Sequence, residues 1–83
     1  MNPAFQATVC SDQNYEDLIV EIYFEDQLIA LINQDKGLNA LEINLYPRKD
    51  GEPWHFELAE LEKIIEVARR RLANLRRTAT RTD

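Results

Sequence analysis

The sequence predicts an α+β fold: an antiparallel β-meander of about four strands with one C-terminal amphipathic α-helix packed on one face. Two observations support it. Apolar and polar residues alternate over residues 18–24 and 41–46, the period of a half-buried strand. From residue 58 onward, apolar residues recur at spacings of three, four and seven, the period of an α-helix. The 83 residues suffice for a single domain, with a core over about residues 15–77 and a frayed tail at 78–83.

The strands are predicted in chain order. Residues 18–24 place Leu, Val, Ile and Phe on one face, and residues 28–33 are apolar on both faces, as in a central strand. The polar residues 25–27 between them suit a hairpin turn, and residues 34–39, with Gly37, suit a second turn. Residues 41–46 form the next strand. Residues 4–10 also fit a short strand, but their pattern leaves open whether it joins the sheet.

Asp50-Gly51 indicates a hairpin, because both residues tolerate positive φ. It predicts a short strand at residues 52–57, paired with the strand at 41–46. Pro47 and Pro53 cannot donate ladder hydrogen bonds, so this hairpin is expected at an edge of the sheet.

The helix is predicted over roughly residues 58–77, with glutamates at its start and arginines at its end, as the helix dipole favours. Its apolar stripe is expected to cover one face of the strands at 18–24 and 41–46. The residues expected under the helix are Leu18, Val20, Ile22, Phe24, Leu41, Ile43 and Leu45.

The opposite sheet face is the predicted partner-binding surface. Tyrosine and asparagine provide hydrogen-bonding groups, tyrosine adds rigid apolar area, and acids suit a basic partner. The alternative is that this face is an ordinary solvent-exposed sheet surface with no binding role. The predicted binding residues are Glu21, Tyr23, Glu42, Asn44 and Tyr46 on this face, together with the loop acids Glu16, Asp17, Glu25 and Asp26.

Catalytic chemistry has few candidates in this chain. His55 is the only histidine, and no sequence pattern supplies it with a partner carboxylate. Cys10 has no neighbouring base to lower its pKa, no Cys/His pair has zinc spacing, and no Gly-rich phosphate loop is present. We therefore expect a protein that is not an enzyme, with no cofactor and no metal site.

Charge is divided along the chain. Residues 1–66 carry 14 Asp/Glu and 4 Lys/Arg, whereas residues 67–83 carry 6 Arg and one Asp. The arginines suit the helix dipole and pairing with the protein's own acids, and the acidic body would repel nucleic acid. The longest apolar run, residues 28–32, is too short for a membrane span, and residues 1–13 do not resemble a signal peptide. A single cysteine fits a reducing compartment, so we expect a cytoplasmic protein.

Two runs of sequence resemble those of a known protein family. They are residues 15–24 (Tyr-Glu-Asp-Leu-Ile-Val-Glu-Ile-Tyr-Phe) and residues 28–38 (Leu-Ile-Ala-Leu-Ile-Asn-Gln-Asp-Lys-Gly-Leu). With Leu41-Glu42-Ile43 and a closing helix bearing Phe56, Leu58, Leu61 and Ile65, they resemble small bacterial immunity proteins of contact-dependent growth-inhibition systems. The resemblance implies a cytoplasmic protein that binds a cognate toxin domain, often a basic nuclease, and blocks its site. The alternative is a small homodimeric structural or regulatory domain that self-associates through its open sheet face or helix seam.

Overall fold

The computed structural model describes residues 4–81, with side chains through residue 75. Four antiparallel strands form one sheet in the order β1-β2-β3-β4, and a single helix follows them. This arrangement confirms the predicted α+β fold class. The elements are β1 (Phe5–Cys10), β2 (Ile19–Phe24), β3 (Gln27–Asn33), a 3-10 turn (Leu38–Ala40), β4 (Glu42–Leu45) and α1 (Leu58–Arg81).

The identity of the fourth strand differs from the prediction. Residues 52–57 form no strand, and the sheet instead contains β1, which pairs with β2 from Phe5↔Phe24 to Cys10↔Ile19. The turn at Asp50-Gly51 does form, with the Gly51 amide donating to the Arg48 carbonyl at 3.1 Å. The chain after this turn does not run back along β4, so the predicted hairpin is wrong.

An aromatic cluster explains where residues 52–57 go. The rings of Phe5, Phe24 and Phe56 lie 4.9–5.0 Å apart, and Trp54 stacks on Phe56 at 5.3 Å. The Trp54 Nε1 donates to the Tyr46 carbonyl at 2.8 Å. Trp54 and Phe56 are separated by the exposed His55, which gives the alternating pattern of a strand. Here the pattern arises because both aromatic side chains pack against the hydrophobic core.

The hydrophobic core lies between α1 and the β1–β2 side of the sheet. Val20 and Ile22 of β2 are fully buried, as are Ala68 and Leu72 of α1. Since β1 extends the sheet beyond β2, the helix contacts β1 and β2 and does not reach the outer side of β4. The expectation for β4 is therefore wrong: Ile43 and Leu45 face the helix side but stay exposed. Leu18 is also exposed, because it precedes β2, whereas Leu41 packs against the core.

The helix begins at Leu58, as predicted, and ends at Arg81, so residues 78–81 belong to it; residues 82 and 83 lie outside the described range. Glu66 pairs with Arg69 and Arg70, at 3.9 and 3.1 Å. Arg71 donates to the Ala7 carbonyl of β1 at 3.1 Å. Arg69 and Arg70 therefore pair with an acid of the protein itself, as expected, whereas Arg71 contacts a backbone carbonyl. The side chains of Arg76, Arg77 and Arg81 lie outside the described residues.

Candidate protein-binding face

The sheet side away from α1 is here called the open face. Strand register places Thr8, Glu21, Leu31 and Asn44 in one row across it, because each residue is paired with the next across the four strands. Alternation puts Tyr23 and Glu42 on the same face. Tyr46 follows β4, and its amide donates to the Ile29 carbonyl at 2.9 Å, which continues the ladder. The four predicted residues that lie within the strands therefore share one face, whereas Tyr46 follows β4 at a point where the pairing of β3 is irregular.

A tyrosine–glutamate pair occupies β2 on this face. The Tyr23 hydroxyl donates to the Glu21 carboxylate at 2.9 Å, and both side chains are half-buried. This hydrogen bond raises the pKa of the Tyr23 phenol, with smaller contributions from partial burial and from the charge of Glu21. The hydroxyl is therefore held in place as a neutral donor beside a carboxylate.

Glu21→Gln is expected to bring the pKa of Tyr23 down toward its ordinary value, because an amide oxygen accepts the hydrogen bond without opposing phenolate charge. An alkaline titration of the tyrosine ring carbons followed by NMR measures this pKa directly. Glu25→Gln, in the exposed turn after β2, is the matched control and should leave Tyr23 unchanged. An unchanged Tyr23 pKa in Glu21→Gln would contradict the assignment.

The connection between β1 and β2 covers one end of the open face. Asn44 Nδ2 donates to the Tyr15 hydroxyl at 2.9 Å, and Gln34 Nε2 donates to the Leu18 carbonyl at 2.8 Å. Beneath this connection, Ile19 and Leu31 are 0% and 4% exposed, although neither belongs to the core on the helix side. The sequence alone did not predict that Tyr15 and Gln34 hold this connection in place. The only indication for Tyr15 was that it is an isolated aromatic residue in a polar loop.

The four predicted loop acids lie at two separate ends of the sheet. The amides of Glu16 and Asp17 donate to the Asp35 carboxylate, at 3.3 and 3.2 Å, which fixes their loop. Glu25 and Asp26 form the tight turn after β2, with φ values of 47° and 71°. β2 has six residues and is therefore roughly 20 Å long. The nine predicted residues thus comprise a central face and an acidic pair at each end.

Charge differs between the two sides of the sheet. Residues 5–46, which contain the four strands and their connections, carry eight Asp/Glu against Lys36 alone. Lys36 donates to Glu42 at 2.9 Å, and this bond raises the pKa of Lys36 and lowers that of Glu42. The part of the helix whose side chains are described, residues 58–75, lies on the other side and carries four Lys/Arg against three Glu. The open face and its rim are therefore acidic.

The residues with catalytic potential are dispersed. His55 is exposed between Trp54 and Phe56. Partial burial, followed by the nearby Glu21 carboxylate, raises the pKa of the Cys10 thiol, which disfavours the reactive thiolate. Among the described residues, no group of three or more His, Cys, Asp or Glu could hold a metal ion. A groove of about 470 Å³ between β1 and α1 is lined by neither histidine nor cysteine.

Comparison with known protein-family models, curated proteins and solved structures finds no match to this chain. Over residues 4–81, no helix is both long and apolar enough to cross a bilayer. The geometry and charge of the open face are therefore the basis on which a function can be assigned.

Proposed function

We propose that this protein is an immunity-type inhibitor that binds a cognate toxin domain, a basic nuclease, through its open face. Binding blocks the active or substrate-binding site of the toxin. The observation that carries the proposal is the charge of the sheet: the only charged residues within the four strands are Glu21 and Glu42, and both lie on the open face.

The chemistry of the target explains why an acidic face suits this task. A nuclease binds phosphates, so its substrate site carries lysine and arginine. An acidic surface is attracted to that site over long distances and competes with the substrate for it. Tyr23 and Tyr46 supply the rigid apolar area that commonly contributes most to protein binding. The single free cysteine is compatible with a reducing cytoplasm, where such a toxin would act.

The size of the face suggests which residues take part. Four strands about 4.8 Å apart and about 20 Å long present roughly 300–400 Å² of sheet surface. A stable protein interface buries about 800 Å² on each partner. The rim must therefore contribute, and the acidic pairs at the two ends, Glu16-Asp17 and Glu25-Asp26, are placed to do so.

The proposal predicts that a large toxin gene adjoins the gene for this chain, and the test uses the C-terminal domain which that gene encodes. We expect a one-to-one complex, loss of nuclease activity in the complex, and an association rate that falls as salt is added. Glu21→Lys with Glu42→Lys should slow association and weaken its salt dependence. Absence of a complex at micromolar concentration would overturn the proposal.

The matched control reverses the same number of charges elsewhere. Glu57→Lys with Glu62→Lys alters two exposed glutamates, one just before α1 and one in its first turns. Both double variants raise the net charge by four units relative to the wild type, so a net-charge effect would slow them equally. Equal slowing would exclude the open face as the contact surface, even if a complex forms.

A further inference from the structure

The groove between strand β1 and helix α1 has the size and lining of a ligand site. Its volume of about 470 Å³ lies in the range of pockets that bind small molecules. Phe5 and Ile64, which are buried, and Ala7 and Val67, which are half-buried, give it an apolar lining. The groove therefore offers a ligand both space and an apolar surface.

The charged residues that line the groove are unevenly spread along α1. Glu60 and Lys63 lie within one turn of each other near the start of the helix, where their opposite charges offset. Arg71 lines the groove eight residues beyond Lys63, which is about 12 Å along the helix axis. The cation without a compensating charge is therefore Arg71, at one end of the groove.

Arg71 is oriented by a neutral group. Its Nη1 donates to the Ala7 carbonyl at 3.1 Å, and it pairs with no carboxylate among the residues whose side chains are described. Its Nε and Nη2 make no hydrogen bond within those residues, and a guanidinium edge of this kind matches the two oxygens of a carboxylate. Arg69 and Arg70 differ, since both pair with Glu66. Arg71 is therefore an oriented cation with unused donors.

The contact between Arg71 and Ala7 also argues against a peptide strand as the occupant. The Glu25 amide donates to the Ala4 carbonyl, so alternation turns the backbone groups of Ala7, near the middle of β1, away from β2. An added strand would need the Ala7 carbonyl for its own N–H, and Arg71 already occupies it. A charged side chain on a strand edge is a common means of preventing strand addition.

We infer that this groove binds an amphiphilic monocarboxylate of the class of medium-chain fatty acids. The carboxylate accepts hydrogen bonds from Nε and Nη2 of Arg71, and the acyl chain lies over Val67 and Ile64. Seven residues separate Arg71 from Ile64, about 10 Å of helix, which suits a chain of medium length. A phosphate group commonly draws on a cluster of cations, and Lys63 is too far along the helix to join Arg71.

The site is separate from the proposed toxin-binding surface. Glu21, Tyr23 and Asn44 lie on the open face, whereas the ligand would lie between β1 and the helix. The inference therefore does not depend on the proposed inhibitor function. The two can fail separately, because fatty-acid binding is measured without a toxin and toxin binding is measured without a fatty acid.

An NMR titration of the whole chain with decanoate, kept below the concentration at which it forms micelles, provides the test. We expect saturable binding with the largest shifts at Ala7, Ile64, Val67 and the Nε–H of Arg71. Decanoate should bind several-fold more tightly than octanoate, because two more methylenes leave water. Octylammonium, which has the chain length of octanoate and the opposite charge, should cause no shifts in the groove.

Two variants of adjacent arginines separate the groove from a general charge effect. Arg71→Gln should weaken decanoate binding about tenfold, because it removes the charged pair of donors. Arg70→Gln is the matched control, since it removes the same charge from a residue that pairs with Glu66, and it should bind like the wild type. Arg71→Lys keeps the charge without the planar fork and should fall between the two.

Three results would overturn the inference: no shifts with decanoate, equal losses in Arg71→Gln and Arg70→Gln, or binding of octylammonium in the groove. A fourth is a peptide of alternating valine and aspartate that shifts the amides of β1 when decanoate does not. The occupant would then be an added strand. Circular dichroism spectra that match the wild type confirm that each variant is folded.

Discussion

Leu72→Ala is expected to lower the free energy of unfolding by about 2–5 kcal/mol. Leu72 is fully buried in α1 and belongs to the core that Val20 and Ile22 form with the helix. Small domains have a total stability of about 5–15 kcal/mol, so this one change removes a large share. Urea unfolding followed by circular dichroism measures it.

The matched control is Leu45→Ala, the same chemical change at an exposed site. We expect a change within about 0.5 kcal/mol. Losses of similar size in the two variants would contradict the position of α1 over β1 and β2.

Phe24→Ala is expected to lower the free energy of unfolding by an amount at or below the low end of the about 3–5 kcal/mol that a fully buried phenylalanine loses, because Phe24 is only half-buried. The Phe24 ring lies 4.9 Å from both Phe5 and Phe56 and meets Trp54 edge-on at 6.2 Å. Removing it opens a cavity where β1, β2 and the chain after β4 meet. Urea unfolding measures the loss, and Trp54 fluorescence in the native state should change as well.

Phe24→Leu is the control for this second prediction. It keeps most of the volume and should lose less than about 1.5 kcal/mol. If the alanine and leucine variants lose equal stability, or if the fluorescence of Trp54 stays unchanged in Phe24→Ala, the aromatic cluster does not hold the segment as described.

Local sequence pattern was sufficient for β2, β3, β4 and α1. β2 and β4 alternate between apolar and polar residues, β3 is a continuous apolar run, and α1 has a 3.6-residue period; such patterns are visible in a single sequence. The remaining strand of the sheet, β1, could not be predicted from local pattern, and a strand was predicted instead at residues 52–57. Trp54 and Phe56 alternate because they enter an aromatic cluster, whereas the place of β1 depends on pairing with β2, which only the folded chain shows.

The residues of the open face could be predicted in part, because side chains alternate between the two faces along a strand. Alternation alone assigned Glu21, Tyr23 and Asn44 to one face, and the register confirms that they share it. The covering of Ile19 by the β1–β2 connection could not be predicted, since it depends on contacts between distant residues, such as Asn44 with Tyr15. The exposure of Leu45 could not be predicted either, because it depends on the position of α1 over the sheet. The helix packs on β1 and β2 and leaves the outer side of β4 uncovered.

One measurement bears most directly on the central claim that the open face binds a toxin domain. Amide NMR spectra of the labelled chain, recorded as the proposed toxin domain is added, report contacts residue by residue. We expect the largest shifts at Thr8, Glu21, Tyr23 and Asn44, with further shifts at the two acidic ends. Shifts concentrated on α1, or no shifts at saturating toxin domain, would contradict it.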